Sequence, residues 1–346
     1  YKRQAFLIAE FLKISYLDVI IMACIPTCLY YWSIFLMVEI DAKKFGVKDI
    51  AVDKTYSLWQ LTYLYGFHFI SLIAIVAIMV LGFTPIMAVF WATIVAFAVS
   101  FIRKDTALTP GKLVKALRGG SIGVLSVAST CAAAGIIVGV VTLTGLGLKF
   151  SSIIIAYAGG SLLLTAIYTA LIVWVIGLAV PVTASYIISA VIAAPALIQL
   201  GVPDFAAHMF VFYYAILSEV SPPTALSCFA AAALTKGNPY KTTMYAWKYT
   251  LPAFIVPFMF TVDPRGVGIL LKGSVTDVIW TTITAFLGIA ALAGGVENWF
   301  LRQTTLYERI MLIAAGLFLV FSIPLYDAIG LGLMILVVIL QKMRKE

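Results

Sequence analysis

One stretch of the chain, LSEVSPPTALSCFAAAAL at residues 217 to 234, places an ionisable side chain and two prolines between apolar segments. Pro222 and Pro223 lack backbone N–H groups and clash with the preceding turn, so a helix has to open near Glu219 to Ser221. In a membrane a carboxyl group is expensive without a partner or a function, which makes Glu219 a candidate ion or proton site. The alternative, compatible with the first, is that Glu219 caps N–H groups exposed at the break.

A second stretch, GLAVPVTAS at residues 177 to 185, combines turn-forming residues with hydroxyl groups. Gly177 permits a tight turn, Pro181 ends a helix, and Thr183 and Ser185 supply hydroxyls at the start of the next helix. Carbonyl groups left free by Pro181 can coordinate a cation, and the following helix N-terminus can face an anion. The alternative is a simple kink or a short extracellular turn.

The two stretches together supply the candidate ion- and substrate-binding residues. These are Gly177, Val180, Pro181, Thr183, Ser185, Ser218, Glu219, Ser221, Pro222, Pro223 and Thr224. Within this set, Gly177, Val180 and Thr183 are the candidate cation ligands. Thr224 is the expected cap of the second half of the broken helix.

Composition identifies the elements that position these residues as membrane helices. Hydrophobic residues make up 63% of the 346-residue chain, charged residues make up 11%, and the mean hydropathy is +1.08. Soluble domains carry about 25% charged residues. Helices cross roughly 30 Å of hydrocarbon without unpaired backbone groups, so the predicted fold class is an all-α, polytopic transmembrane helix bundle with a re-entrant helical hairpin and a broken helix. The predicted apolar segments are 15–39, 58–81, 82–102, 120–144, 151–176, 184–200, 205–235, 243–262, 276–295, 308–322 and 325–341.

The basic residues indicate topology, and no nucleic-acid partner is expected despite a net charge of +8. With a re-entrant hairpin around 177–183 whose ends face outward, the inner loops hold seventeen Lys and Arg residues and the outer loops hold four. That distribution follows the positive-inside rule and places the C-terminus in the cytoplasm. The amphipathic stretch 109–120 fits either a helix in the inner membrane interface or a plain connector.

Other function classes are disfavoured. The chain has no HExxH, GxGD or GxSG motif, so no catalytic residue is assigned and no enzyme is predicted. A channel would need a continuous polar stripe, whereas the polar residues concentrate at two breaks, which favours an occluded site with alternating access. A non-transporting assembly subunit remains an alternative.

Four stretches in order, TLTGLGLKFSSIII, GLAVPVTASYI, LSEVSPPTALSCFAAAAL and WKYTLPAFIVPFMF, resemble the large membrane subunit of TRAP (tripartite ATP-independent periplasmic) transporters. The similarity is strongest to the fused permeases that work with TAXI-type binding proteins. It covers about residues 5 to 262.

The resemblance implies an inner-membrane, elevator-type secondary transporter built from two inverted repeats. In that family a sodium gradient commonly drives symport of an organic anion, usually a carboxylate, delivered by an extracytoplasmic binding protein. The hairpin tip then corresponds to Gly177 to Thr183, with Gly177, Val180 and Thr183 as sodium ligands, and the broken helix corresponds to Ser218 to Thr224. No cofactor is implied beyond sodium.

The chain differs from the family pattern in three respects: missing parts, an added C-terminal segment and the residue at position 219. Relative to the family pattern, the first-repeat hairpin, its broken helix and the small fused subunit are missing, so this chain by itself would be expected to hold one half of the paired site. The predicted division is 1–119 as the end of the first repeat with scaffold segments, 120–262 as the second transport repeat, and 263–346 as a C-terminal membrane extension. Glu219 stands where many relatives have an uncharged residue, which leaves a proton as the alternative coupling ion.

Overall fold

The computed structural model describes residues 2–46, 57–223 and 225–344. Over these ranges the secondary structure is helical, with no β-strand, which confirms the predicted all-α polytopic helix bundle. Among the described residues, seven helices are long and apolar enough to cross a membrane: Tyr16–Lys44, Trp59–Val80, Pro110–Leu143, Leu162–Ala179, Val182–Gln199, Val275–Glu297 and Pro324–Met343.

Seventeen α-helices, joined by short 3-10 helices, follow one another in the described ranges. They are α1 (Lys2–Leu12), α2 (Tyr16–Lys44), α3 (Leu58–Tyr65), α4 (Phe69–Val80), α5 (Pro85–Ser100), α6 (Pro110–Leu143), α7 (Leu146–Tyr157), α8 (Leu162–Ala179), α9 (Val182–Ile192), α10 (Ala194–Gln199), α11 (Asp204–Leu217), α12 (Leu226–Thr235), α13 (Pro239–Thr250), α14 (Val256–Met259), α15 (Val275–Glu297), α16 (Leu306–Phe318) and α17 (Pro324–Met343).

The chain forms two compact units. The smaller unit spans residues 48–129 and contains α3, α4, α5 and the first part of α6. Within it, Arg103 stacks over the Tyr65 ring at 5.0 Å and donates a hydrogen bond to the carbonyl of Leu64. The larger unit comprises residues 1–47 and 130–346 and contains both candidate motifs. The predicted division at 119 and 262 concerns repeats rather than compact units, and it stays a prediction.

The helix predicted at 120–144 begins earlier in the structure, within the amphipathic stretch at 109–120. This stretch begins α6, which runs on without interruption to Leu143. Gly119 and Gly120 cost about 1 kcal/mol each relative to alanine, and the helix continues through them. In the described chain this stretch is the start of a longer helix and not a helix of its own, and its location at the inner membrane interface stays a prediction.

Four segments predicted as continuous are divided in the structure: 58–81 comprises α3, a 3-10 helix (Gly66–His68) and α4, 184–200 comprises the end of α9 and α10, and 151–176 and 243–262 are also interrupted. Segment 151–176 is split between α7 and α8, because Gly159 and Gly160 adopt φ values of +59° and +75° and Ser161 caps α8. Segment 243–262 comprises α13, a 3-10 helix (Leu251–Ile255) and α14, because proline removes N–H donors at positions 252 and 257.

The most buried elements are the two that carry the candidate motifs. On α9 every residue from Val182 to Ala190 is buried, and on α11 Phe210 is fully buried. A helix that is apolar and buried all round is enclosed by protein rather than by lipid. Other helices leave large apolar side chains exposed, such as Tyr157 at 80%, as a lipid-facing surface requires.

The predicted hairpin is present as two antiparallel arms. The first arm is α8, and the second is α9 followed by α10. Each arm has 18 residues, which corresponds to about 27 Å at 1.5 Å per residue. Re-entry of this hairpin from one side of the membrane stays a prediction.

The segment beyond the second motif packs back onto the start of the chain. Helix α15 lies against α2, where the indole N–H of Trp32 donates to the carbonyl of Phe286 at 3.3 Å. Small residues allow α15 and α16 to approach closely: a Cβ atom at Gly316 would lie 2.4 Å from Cγ of Leu292. The C-terminal segment therefore shares packing with the body of the larger unit.

Candidate functional site

The hairpin tip is a sharp turn two residues long. Helix α8 ends at Ala179, Val180 is extended (φ −137°, ψ 155°), and Pro181 is the residue before α9. The amide of Ser185 donates to the carbonyl of Pro181 at 2.9 Å, which is the first helical bond of α9. Because Pro181 has no N–H, the carbonyl of Gly177 loses the donor that a continuous helix would supply four residues later.

The broken helix opens where the two prolines require it. Helix α11 ends at Leu217, a 3-10 turn covers Ser218–Val220, and Ser221 is extended before α12 begins at Leu226. The Pro222–Pro223 peptide bond is cis. The break thus falls between two helices of 14 and 10 residues. The predicted cap at Thr224 lies outside the described residues.

The two motifs touch each other. A Cβ atom at Gly177 would lie 2.2 Å from Oγ and 2.6 Å from Cβ of Ser218, and 3.2 Å from Oγ of Ser185. The backbone of α8 therefore rests directly on the first residue of the break, beside a hydroxyl from the other arm of the hairpin. Gly177 is needed for this close approach, and its φ is not in the left-handed region.

Three buried serines lie at the hairpin tip and the break. Ser218 donates its hydroxyl to the carbonyl of Ala215 at 2.7 Å, and Ser221 donates to the carbonyl of Leu217 at 2.8 Å, so both oxygens keep lone pairs available. Ser185 is 0% exposed, and its Oγ has no hydrogen-bond partner among the described residues. A buried hydroxyl without a partner costs about 1–3 kcal/mol, which indicates a site for water or a ligand.

Three further hydroxyls were not singled out from the sequence. Thr165 and Thr169 of α8 and Ser189 of α9 are 0% exposed, and their oxygens have no hydrogen-bond partner in the described part of the chain. The spacing of four residues puts Thr165 and Thr169 on one face of α8, in the buried stripe that continues through Val173 to Gly177, and it puts Ser189 on the α9 face that carries Ser185. This spacing is the signal that could have identified them.

The remaining predicted residues flank the contact. Thr183 is buried in the first turn of α9, and Val180 is half-buried. Pro181 is exposed at the hairpin tip, and Pro223 is exposed at the break. Glu219 is half-buried in the 3-10 turn directly after Ser218. The structure thus brings Gly177, Ser185 and Ser218 into contact, and the other described candidates lie along the tip and the break.

A buried polar pair fixes α9 against α11 behind the site. The hydroxyl of Tyr186 and Nδ1 of His208 are 2.9 Å apart, and both side chains are buried. Phe11 of α1 places its ring 5.9 Å from each of these two rings. His208 is therefore a packing residue that holds the second hairpin arm and the first half of the broken helix in register.

The chemistry available at this contact is that of neutral oxygen atoms. Over the described residues no group of three or more His, Cys, Asp or Glu side chains is arranged to hold a metal ion. Hydroxyl and carbonyl oxygens are ligands for hard cations, and the first-turn amides of α9 are donors for an anion. The arrangement can bind ions.

The sequence profile of the tripartite ATP-independent periplasmic transporter, DctM component, matches residues 3–265. The match covers more than half of the chain and includes both the hairpin tip and the break. Comparisons with curated proteins and with solved structures returned no significant match. The chain is therefore a multi-pass membrane protein and a secondary-transporter permease, and it belongs to the DctM family, the large membrane component of TRAP transporters.

Proposed function

We propose that this permease uses a sodium gradient to import an organic anion of the carboxylate class, and that the hairpin tip and the broken helix form its transport site. The observation that carries the proposal is the contact of Gly177 with Ser218 and Ser185. These residues are separated in sequence, and they meet at the point where two helices are interrupted. Interrupted helices whose backbone groups face a ligand are the common device of secondary transporters.

Sodium binding is supported by oxygen atoms that lack donors. The carbonyl of Gly177 has lost its helical partner to Pro181, and the hydroxyl of Ser185 is buried without a partner among the described residues. Val180 and Thr183, at the tip, complete the proposed ligand set. A small cation would satisfy the Gly177 carbonyl and the Ser185 hydroxyl at once, whereas without a ligand these two oxygens carry their desolvation cost.

Anion binding is supported by the start of α9. The amides of its first turn make no intrahelical bonds and carry the positive end of the helix dipole. They lie next to the proposed cation ligands, so a carboxylate and its co-transported cation would neutralise each other. No arginine occurs in either motif, so the carboxylate would be held by amides and hydroxyls.

Further partners follow from the family. DctM components work with a periplasmic binding protein and a small membrane subunit. We assign a TAXI-type binding protein here, with a first repeat and the small subunit completing the site at the exposed Pro181 and Pro223. The chain would lie in the inner membrane with a cytoplasmic C-terminus and move its hairpin in an elevator motion.

The test is uptake into proteoliposomes containing the assembled transporter and its binding protein. A mixture of ¹⁴C-labelled mono- and dicarboxylates serves as the probe, and an imposed sodium gradient is compared with an imposed proton gradient. Uptake that depends on sodium supports the proposal. Uptake driven by protons alone would contradict sodium coupling and move the coupling role to Glu219, in which case Glu219→Gln would abolish it.

The same vesicles separate a transporter from a channel. A transporter with an occluded site exchanges internal for external substrate, so preloaded unlabelled carboxylate accelerates uptake of the label. A channel gives no such acceleration, and a non-transporting assembly subunit gives no uptake. Either result would overturn the proposed transport mechanism.

A further inference from the structure

A buried cluster of charged residues joins three helices outside the transport site. Asp41 lies on α2, Lys248 on α13, and Glu297 is the last residue of α15. Nζ of Lys248 is 3.3 Å from Oδ2 of Asp41 and 2.6 Å from Oε2 of Glu297. The Asp41 side chain is 6% exposed, that of Glu297 is 0% exposed, and that of Lys248 is 30% exposed.

The polar neighbours of the two carboxyl groups either bond a carboxylate oxygen or bond main-chain carbonyls at the end of α15. Tyr249 of α13 donates its hydroxyl to Oδ2 of Asp41 at 2.8 Å. Lys44 of α2 is exposed and donates to the main-chain carbonyl of Glu297, and Arg309 of α16 donates to the carbonyl of Gly295. These two cations thus offset the negative end of the α15 dipole at its last carbonyls.

Two further charged residues of α2 pair with each other rather than with the cluster. Glu39 and Lys43, one turn apart on α2, form an exposed i, i+4 ion pair. Lys248 is therefore the cation whose ammonium group bonds the two buried carboxyl groups directly.

Counting charges shows an imbalance. Two ionised carboxylates bond one ammonium directly, so one negative charge has no cation of its own bonded to the carboxyl groups in this largely buried site, and such a charge costs several kcal/mol. Uptake of one proton by the carboxyl pair would make the cluster neutral. Two carboxyl groups that share a site bind that proton as a pair rather than as separate residues.

We propose that Asp41 and Glu297 form a proton-binding site that holds one exchangeable proton, with Lys248 as its fixed counter-charge. Glu297 lies beyond residues 3–265 that match the DctM family, so the site belongs to the joint between the family core and the C-terminal segment. The inference is that a proton binds where the family core meets the C-terminal segment, and it does not depend on the proposed transport function.

The test is infrared difference spectroscopy of the full chain in lipid nanodiscs, recorded through a pH titration without any transport substrate. A protonated carboxyl group gives a C=O stretching band that disappears on deprotonation and shifts in heavy water. We expect this band in the wild-type protein. We expect it to be lost in Asp41→Asn and also in Glu297→Gln, because each variant leaves one carboxylate against one ammonium.

Three control variants sharpen the result. Lys248→Met removes the counter-charge, so the band should be retained or strengthened. Glu39→Gln removes an exposed carboxylate and should leave the band unchanged. Asp327→Asn removes a second fully buried carboxyl group, whose Oδ2 accepts the Trp280 indole N–H, and its spectrum provides the background.

Two outcomes would overturn the proposal. One is a wild-type spectrum without a titrating carboxyl band once the Asp327 contribution is subtracted. The other is a band that persists in a folded Asp41→Asn or a folded Glu297→Gln variant. Size-exclusion profiles verify that each variant is folded, and because either acid variant alone tests the site, failure of one to fold leaves the other decisive.

Discussion

At the scale of single residues, the site depends on one close approach. Gly177 lets the backbone of α8 rest on Ser218, and Ser185 closes the contact from the opposite arm. The sequence predicts these residues as candidates because glycine, proline and hydroxyl side chains have distinct local effects. It does not predict that Gly177 meets Ser218, because that contact depends on helix packing across 41 positions of the chain.

Replacing Gly177 tests this contact through stability. Gly177→Ala should lower thermal stability in detergent by about 1–3 kcal/mol, because its Cβ overlaps Ser218 and the buried backbone has to shift. The loss should be smaller in a Ser218→Gly background, where the overlapping atoms are gone. Gly332→Ala in α17 is the matched control: it meets open space and should not lower the melting temperature. Equal losses in both backgrounds would show that the two residues do not touch.

At the scale of elements, the interruptions were predictable and their geometry only partly so. Pro222 and Pro223 prevent a continuous helix, and the structure has the break at these two residues. The turn at Gly159 and Gly160 escaped prediction because glycine is common in membrane helices and is often tolerated inside them. Two full crossings would leave the flanking loops on the same sides as a re-entrant hairpin does, so the Lys and Arg count alone does not choose between them.

Repairing the break tests its role. Replacing Pro222 and Pro223 together by alanine restores two N–H donors and lets α11 continue toward α12. We expect the double variant to be as stable as the wild type or more stable, and uptake in proteoliposomes to fall to background because the exposed backbone groups are now paired. Pro85→Ala, at the first position of α5, is the control and should leave uptake unchanged. Full uptake by the double variant would mean that the break is not part of the transport site.

At the scale of the whole molecule, the C-terminal segment is part of the larger unit. Trp32 of α2 bonds Phe286 of α15, and Lys248 bonds Glu297. Composition predicts apolar helices there, but the joint could not be predicted, because Asp41 and Glu297 lie more than 250 positions apart and no local pattern links them. Burying either carboxylate costs free energy, and only the fold shows that Lys248 offsets this cost.

Dividing the chain tests this integration. The turn before α15 contains Gly273 at φ +124° and tolerates a break better than a helix does. Residues 1–272 and 273–346, expressed together as separate pieces, should purify as one complex, whereas residues 1–272 expressed alone should aggregate because the α2 face that packs on α15 is uncovered. A stable, monodisperse 1–272 piece would contradict the account.

The most direct test of the central claim, that the contact around Gly177 binds a cation, is the melting temperature of the purified protein in sodium chloride compared with potassium chloride. A ligand that binds the native state at a hundred times its Kd stabilises it by about 2.7 kcal/mol. We predict a sodium-specific rise for the wild type and for Ser189→Ala, whose hydroxyl is equally buried but lies one turn further from the tip, and no rise for Ser185→Ala. The same rise in Ser185→Ala, or none in the wild type, would contradict the claim.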